Sequence, residues 1–468
     1  MPISNLPAAL QSMIQEGWLD HSIKEALKAT LGFRRTADKE AFKSGIGQTT
    51  TFSRRALLPL VTQPTAPLSN SDVVQLTGSN MDQTGNQKVE QYKLAINQYN
   101  GSLSLNVVTS TVAIGNQFLL NAKDLTEQAA RSIDSLARDE LYNTYMGGHT
   151  WVSATLGAPA STIHVADVRG FFLTLDSKGR PVSVSGGNTV QVLIGSDVYT
   201  LTGVIADGNA PASAPESLTY SGVAGTTVCV NWGAVPGTLT FSSNVSVLDG
   251  TAGVAVVRVD APALIRPDGS LSTLALGASA TATLTTDAIL QATATLQSNG
   301  VAPLASSGLY GFYSSPLQLA GVYRDPAFQS FFRGRPDTPE FRAGALGELL
   351  GVEVLRTHQN PVQAPGNGVA KTVHRGIVVG QGALVEADFQ GGYAQALEIA
   401  GAEDGMITVN DGIAHIVREP IDAAQQIVTQ TWAAITGFAA PTDVFTTSDT
   451  VPTATAASWK RAVIIESN

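Results

Sequence analysis

The chain has 468 residues, of which 43 % are hydrophobic and only 14 % charged, with a formal net charge of −10; at roughly 100–200 residues per domain, this length predicts two to four packed units. No run approaches the ~18 consecutive apolar residues that a membrane span needs, an acidic chain is ill suited to gripping phosphate backbones, where Lys and Arg supply the affinity, and the single cysteine, Cys229, excludes an internal disulfide and predicts a buried, inert thiol. An average soluble domain carries about 25 % charged residues, so two explanations stand side by side: much of the surface is covered by partner subunits, or the chain holds a β-rich domain full of Ser, Thr and Gly.

The first twenty residues do not combine a basic start, an apolar core and a small-residue cleavage site, because Gln11, Gln15, Glu16 and Asp20 interrupt them; no export signal is expected. Residues 1–45 read as an arm with a short helix over 23–31, where Ser22-Ile23-Lys24-Glu25 forms a capping box, Ile23, Leu27 and Leu31 share a face and Gly32 stops it. Between positions 21 and 55, eight bases (Lys24, Lys28, Arg34, Arg35, Lys39, Lys43, Arg54, Arg55) stand against three acids (Glu25, Asp38, Glu40), a local +5. Such a run is either a solvated face or an arm that docks on an acidic neighbour or lies against nucleic acid.

Residues 46–110 read as an extended hairpin loop. Its strands are expected at 50–57 and 88–98, the second alternating Tyr92, Leu94 and Ile96 with Lys93, Ala95 and Asn97. Turn formers crowd the connection: Pro64, Pro67, Thr77-Gly78-Ser79-Asn80 and Thr84-Gly85-Asn86. Residues 111–150 hold the strongest helical signal, from about 112 to 146, with Phe118, Ala122, Leu125, Ala129, Ile133 and Leu136 tracing one face. Glu127 with Arg131 and Asp134 with Arg138 are acid-before-base pairs four apart, as on an exposed face, and Gly147-Gly148 ends the helix.

Residues 151–284 carry eight acids and five bases and break into short β-type runs: Gln191-Val192-Leu193-Ile194, Val198-Tyr199-Thr200-Leu201-Thr202, Thr238-Leu239-Thr240-Phe241 and Ala255-Val256-Val257-Arg258-Val259. Gly195-Ser196-Asp197 makes a tight turn between the first two. An inserted all-β domain, sandwich or barrel, is expected, either bracing the surface or binding glycan. Residues 285–468 read as an α+β body. Helices start at Thr285-Thr286-Asp287, with Ile289, Ala292 and Leu296 on one face and Asn299-Gly300 at the stop, and at Asp325-Pro326, carrying Phe328, Phe331 and Phe332 as core. Strands are expected at 352–355, 373–379, 426–435 and 462–466.

Catalytic and cofactor patterns are missing from the sequence, so the expectation is no catalytic, cofactor-binding or metal-binding residue and no cofactor. Val379-Gly380-Gln381-Gly382 lacks the third glycine of a dinucleotide fingerprint. The six histidines, His21, His149, His164, His358, His374 and His415, have no zinc spacing. Glu403-Asp404 is the acid pair worth testing for sugar hydrolysis, and its place between Gly401 and Gly405 reads first as a solvated turn.

Four stretches of the body carry a family likeness: Leu309-Tyr310-Gly311-Phe312-Tyr313 running on to Arg324-Asp325; Gly347-Glu348-Leu349-Leu350-Gly351-Val352-Glu353-Val354; Gly376-Ile377-Val378-Val379-Gly380-Gln381-Gly382-Ala383-Leu384; and Trp459-Lys460-Arg461-Ala462-Val463-Ile464-Ile465-Glu466. With the order arm, long hairpin, long helix, α+β body, the chain resembles tailed-bacteriophage major capsid proteins related to podovirus coats, with the fold named for phage Hong Kong 97. The resemblance implies a non-enzymatic subunit that self-assembles through hexameric and pentameric capsomers into an icosahedral virion shell, assembled in the host bacterial cytoplasm. It also implies scaffolding, portal or decoration proteins as further partners, passive contact with packaged double-stranded DNA, and no membrane. A phage tail or baseplate protein whose β domain binds glycan is the alternative.

Overall fold

The computed structural model describes residues 32–41, 49–55, 89–106, 114–175, 181–206, 219–221, 227–229, 236–279, 281–332, 347–363, 372–388, 407–410, 412–418, 427–441 and 459–468. The helix expected over 23–31, the hairpin connection with its turn formers and the Glu403-Asp404 pair lie outside the described residues, as do the side chains of Cys229, Phe331 and Phe332. The described part is a mixed α+β fold, rich in strands and with few helices.

One helix, Ile114–Met146, organises the molecule; its 33 residues at about 1.5 Å each make a rod of roughly 50 Å. Its first half lays Phe118, Ala122, Leu125, Ala129 and Ile133 on a four-stranded antiparallel sheet, ordered Ile407–Asn410, Ile413–Arg418, Ile427–Thr436, Asn97–Asn106. Its second half turns Ala137, Leu141, Tyr142 and Tyr145 onto a different sheet. Leu136 is only half-buried, so the buried face passes to Ala137 there. A second departure is larger: Asp134 and Arg138 are buried rather than paired on an exposed face. Asp134 accepts backbone N–H groups of Gly32 and Arg34 at 3.1 and 3.0 Å, and the Arg138 guanidinium turns to Asp139.

Strand Asn97–Asn106 is absent from the sequence expectation, which ends the hairpin at 98. It pairs over ten residues with Ile427–Thr436, from Asn97↔Thr436 to Asn106↔Ile427. Gly101 allows this: a Cβ there would stand 2.5 Å from Trp432 Nε1 and 2.9 Å from Gln128 Oε1, where the indole donates to Gln128 at 3.1 Å. Before it, Val89–Ala95 pairs with Thr49–Arg55 as the expected hairpin, rooted by Tyr92, Leu94 and Ile96 against Val385, Ala387 and Ala439.

The body sheet runs Leu264–Ile265, Ala462–Ser467, Val373–Val379, Tyr310–Ser314, Val352–Arg356, Glu348–Leu349. Tyr310–Ser314 and Ala462–Ser467 are buried at every position, which is why they read as unbroken apolar runs and not as alternation. Tyr313, Ile377, Val379 and Ile464 face the long helix; Phe312, Val378, Val463 and Ile465 face the helices Thr286–Ser298 and Pro316–Arg324. Thr285 caps the first of these through Ala288 N–H. Asp325 accepts from Ala327 N–H at the start of Pro326–Phe332 and from Thr286 N–H across the gap, so one carboxylate serves two helix ends.

In chain order, a six-stranded sheet follows the helix and precedes the body, its strands ordered His149–Trp151, Ala255–Arg258, Val190–Ile194, Asp197–Ala206, Gly237–Val245, Ala160–Val165. Its outer strands meet: Val152 bridges Val165, Ser153 N–H donates to His164 C=O and Ala166 N–H to Trp151 C=O, closing a small barrel around Val192, Ile194, Leu201, Leu239 and Phe241. The turn between its third and fourth strands is Gly195-Ser196, with Gly195 at φ +59°. Entry and exit touch, since Arg258 N–H donates to Gly148 C=O at 2.8 Å. Beyond Arg258 the chain joins the body sheet, where Leu264–Ile265 runs parallel to Ala462–Ser467.

Candidate functional site

The basic stretch meets the body at a clamp. Residues Phe33–Thr36 form one 3-10 turn, and Asp134 holds the N–H groups at its entry. Phe33 stacks on Tyr313 at 4.5 Å and meets Tyr142 edge-on, while Tyr313 Oη donates to Gly32 C=O at 2.7 Å. Burial raises the Asp134 carboxyl, and the backbone donors work against that. Arg34 is buried in an ion pair with Glu386 at 2.7 Å, and Arg35 pairs with Glu353 at 3.4 Å. Arg34 and Arg35 of the basic run therefore have intramolecular acidic partners, and Ala37–Ala41 continues as a strand parallel to Leu384–Asp388.

A second ionic centre lies under the body sheet. Glu466 receives Arg266 Nε at 2.8 Å, Arg375 Nε at 3.0 Å and Thr273 Oγ1 at 3.0 Å. Burial would raise this carboxyl, but the two guanidiniums outweigh it and hold Glu466 at about 2. The cluster ties the end of the barrel's exit segment to two central strands. Its signal in the sequence is slight: a lone Glu in an Ile-rich strand, with its partners 91 and 200 residues away.

The histidines do not converge. His149 is enclosed, its Nε2 2.7 Å from Pro262 C=O; His164 meets Thr238; His415 is buried beside Trp432, its cross-strand partner, with no hydrogen-bond partner on either ring nitrogen. Burial lowers both His149 and His415 to about 4. Among the described residues no group of three His, Cys, Asp or Glu is placed to hold a metal. Tyr199 Oη and Ser246 Oγ both donate to Asp249 Oδ2, at 2.6 and 2.8 Å; the serine proton is thereby committed to a carboxylate that fixes a turn, which is no arrangement for attack on a substrate.

An open groove of about 690 Å³ follows the helix on its solvent side, between Asp124, Glu127 and Arg131 and the loop at His358 and Gln359. Its helix side carries two acids, Asp124 and Glu127, before two bases, Arg131 and Arg138, and the predicted Glu127 and Arg131 pair lies on it. On the barrel, the large apolar groups exposed among the described residues are aliphatic, Val198, Ile205, Val247 and Leu248, with Val259 just past the exit strand. Stacking on sugar rings would call for aromatic faces instead. No helix among the described residues is long and apolar enough to cross a membrane.

No family model matches the sequence, and no curated protein matches it. Among solved structures, the chain is similar to the asymmetric unit of the cyanophage Pam1 capsid (10 % identity over 95 % of this chain and 92 % of that one, TM-score 0.46). It is also similar to the capsid of Ralstonia phage GP4 (13 % identity, 92 % and 87 % coverage, TM-score 0.42). A third is the acidic stable capsid structure of Helicobacter pylori bacteriophage KHP30 (10 % identity, 94 % and 91 % coverage, TM-score 0.39).

Proposed function

We propose that the chain is the major capsid protein of a tailed bacteriophage, a structural subunit that closes with many copies of itself into the icosahedral shell of the virion around double-stranded DNA. The observation that carries this reading is the hairpin Thr49–Arg55 with Val89–Ala95. Among the described residues it is a two-stranded ladder with both outer edges outside any other sheet. Such a ladder is marginal alone in water, and its free edges invite another chain. It is rooted on Val385, Ala387 and Ala439, and the strand that follows it, Asn97–Asn106, lies on the long helix, a firm mount for a part that acts on a neighbour.

In this reading residues 1–45 are the arm, 46–110 the extended loop and 111–150 the spine of a Hong Kong 97-like subunit. The barrel is the inserted domain, and the meeting of Gly148 with Arg258 supports placing its limits at 149–258, with 259–284 joined to the body and not to the insertion expected over 151–284. Contacts between identical chains around hexameric and pentameric capsomers are heterologous, and many weak contacts repeated on each subunit sum to a stable lattice. Scaffolding, portal and decoration proteins are the further partners, DNA contact is passive, and assembly takes place in the bacterial cytoplasm. Electron microscopy and sedimentation of the purified chain test the reading: closed shells are expected from the intact chain and not from one lacking residues 77–86. A chain that stays monomeric at every concentration overturns it.

A further inference from the structure

The four-stranded sheet under the long helix ends on strand Asn97–Asn106, whose outer side meets no other strand among the described residues. An open edge is a row of backbone donors and acceptors that can pair with another chain, and proteins blunt such edges with shortness, charge, proline or bulges. Outside the closed barrel, every other described edge strand is either short or charged. The hairpin strands carry Arg54, Arg55, Glu90 and Lys93, Ala37–Ala41 carries Asp38, Lys39 and Glu40, and the remainder are at most four residues long. Asn97–Asn106 has ten residues without a charge or a proline, in unbroken register with Ile427–Thr436.

The strand is also open to solvent. Asn97, Gln98, Asn100, Ser102, Leu103 and Ser104 are exposed. Leu103 is 41 % exposed although alternation along the strand turns it to the helix side with Tyr99 and Leu105. Whatever covers this edge must bring an extended, uncharged strand of similar length with an unpaired edge of its own. A second copy of the chain brings one, the same strand.

We propose that Asn97–Asn106 pairs antiparallel with the same strand of a second copy, across a two-fold axis centred on Ser102. Directly opposed residues share a face of the sheet, and this centre gives every residue from Gln98 to Asn106 a fitting partner. It sets Tyr99 opposite Leu105, Asn100 opposite Ser104, and Leu103 opposite Gly101, where no side chain stands in the way. A centre at Gly101 would set Leu105 against Asn97, and one at Leu103 would leave Asn97, Gln98 and Tyr99 unpaired. The contact stands on the edge itself and not on the capsid reading; within a shell, an isologous contact of this kind joins rings whose own contacts are heterologous.

Cysteine cross-linking of the full chain reads the register. Directly opposed antiparallel residues have Cα atoms about 4.5–5.5 Å apart, within reach of a disulfide, so S102C is expected to cross-link to itself under mild oxidation. N100C alone is expected not to, because its two copies lie four residues apart along the ladder, roughly 13 Å, whereas N100C mixed with S104C is. S102K sets two lysines face to face on the axis; it is expected to keep the unaltered urea midpoint and to raise the Kd of the dimer at least about tenfold in sedimentation. S102C that cross-links no faster than N100C alone, or S102K that folds and associates as the unaltered chain does, overturns the contact. An unaltered chain that forms this pair and no shells upholds the contact and overturns the capsid reading.

Discussion

Replacing Glu466 by glutamine asks whether the body sheet depends on its buried ionic centre or on its apolar faces alone. Glu466 is 0 % exposed, and three side chains donate to it at 2.8 to 3.1 Å. Its carboxyl titrates near 4.5 when free and at about 2 in the fold. The unfolded chain therefore binds the proton first as pH falls: the contribution is complete above pH 4.5 and is lost between about 4.5 and 2. A gap of about 2.5 pH units at 1.36 kcal/mol each corresponds to about 3 kcal/mol. At pH 7 the glutamine also leaves Arg266 and Arg375 without their buried anion, a loss of about 3–5 kcal/mol for a broken buried pair. Urea unfolding followed by tryptophan fluorescence is the assay. E466Q is expected to unfold at markedly lower urea at pH 7, and to lose less stability between pH 4.5 and 2 than the unaltered chain, the remainder coming from carboxyls such as Asp268 and Asp325 that are also held low. A variant as stable as the unaltered chain at pH 7, with the same acid limb, refutes the reasoning.

Two further outcomes are expected. Burial holds His415 neutral down to about 4, so the unfolded chain takes a proton first and stability falls as pH drops from about 6.5 to 4; H415L should shrink that fall in urea midpoints, leaving a part that belongs to His149 and His374, which burial also lowers. Gly101→Ala drives a methyl group into Trp432 and Gln128, at a cost of about 1–3 kcal/mol of overpacking, measurable as a lowered melting temperature with a disturbed Trp432 environment.

The parts of the fold legible in the sequence are those governed by local rules. The long helix, the Gly195 turn and the caps at Thr285 and Asp325 each follow from residues within four positions of one another. Strand Asn97–Asn106 was hidden because Asn100, Gly101, Ser102 and Ser104 read as turn formers, although Tyr99, Gly101, Leu103 and Leu105 keep the period of two. Gly101 is there for Trp432, a residue 331 positions away in register, and no local window contains that reason. The exposed pair predicted at Asp134 and Arg138 failed the same way. Spacing on a helix says which residues are neighbours, not which face another segment will cover, and here Gly32 and Arg34 cover Asp134. The candidate assembly parts were legible as an order of elements, while the ionic centres that fix them were not, because Glu386 and Glu466 gain meaning only from distant arginines.

The scarcity of charge, which left two explanations open, can now be weighed between them. Many of the few charges are turned inward: Arg34 with Glu386, Arg375 and Arg266 with Glu466, Arg258 with Asp260 and Arg169 with Asp167 each bury at least one partner. Among the described residues, part of the charge is therefore withdrawn from the surface. A Ser-, Thr- and Gly-rich barrel accounts for low charge only where the barrel is, yet Leu317 is 71 % and Leu271 69 % exposed, and Leu290 and Leu350 join them outside it. Aliphatic groups left uncovered across the body, with little charge between them to keep molecules apart, favour association. Cover by partner subunits, which the proposed capsid role requires, would account for exposed aliphatic groups on both the barrel and the body, and a decorative β domain only for those on the barrel.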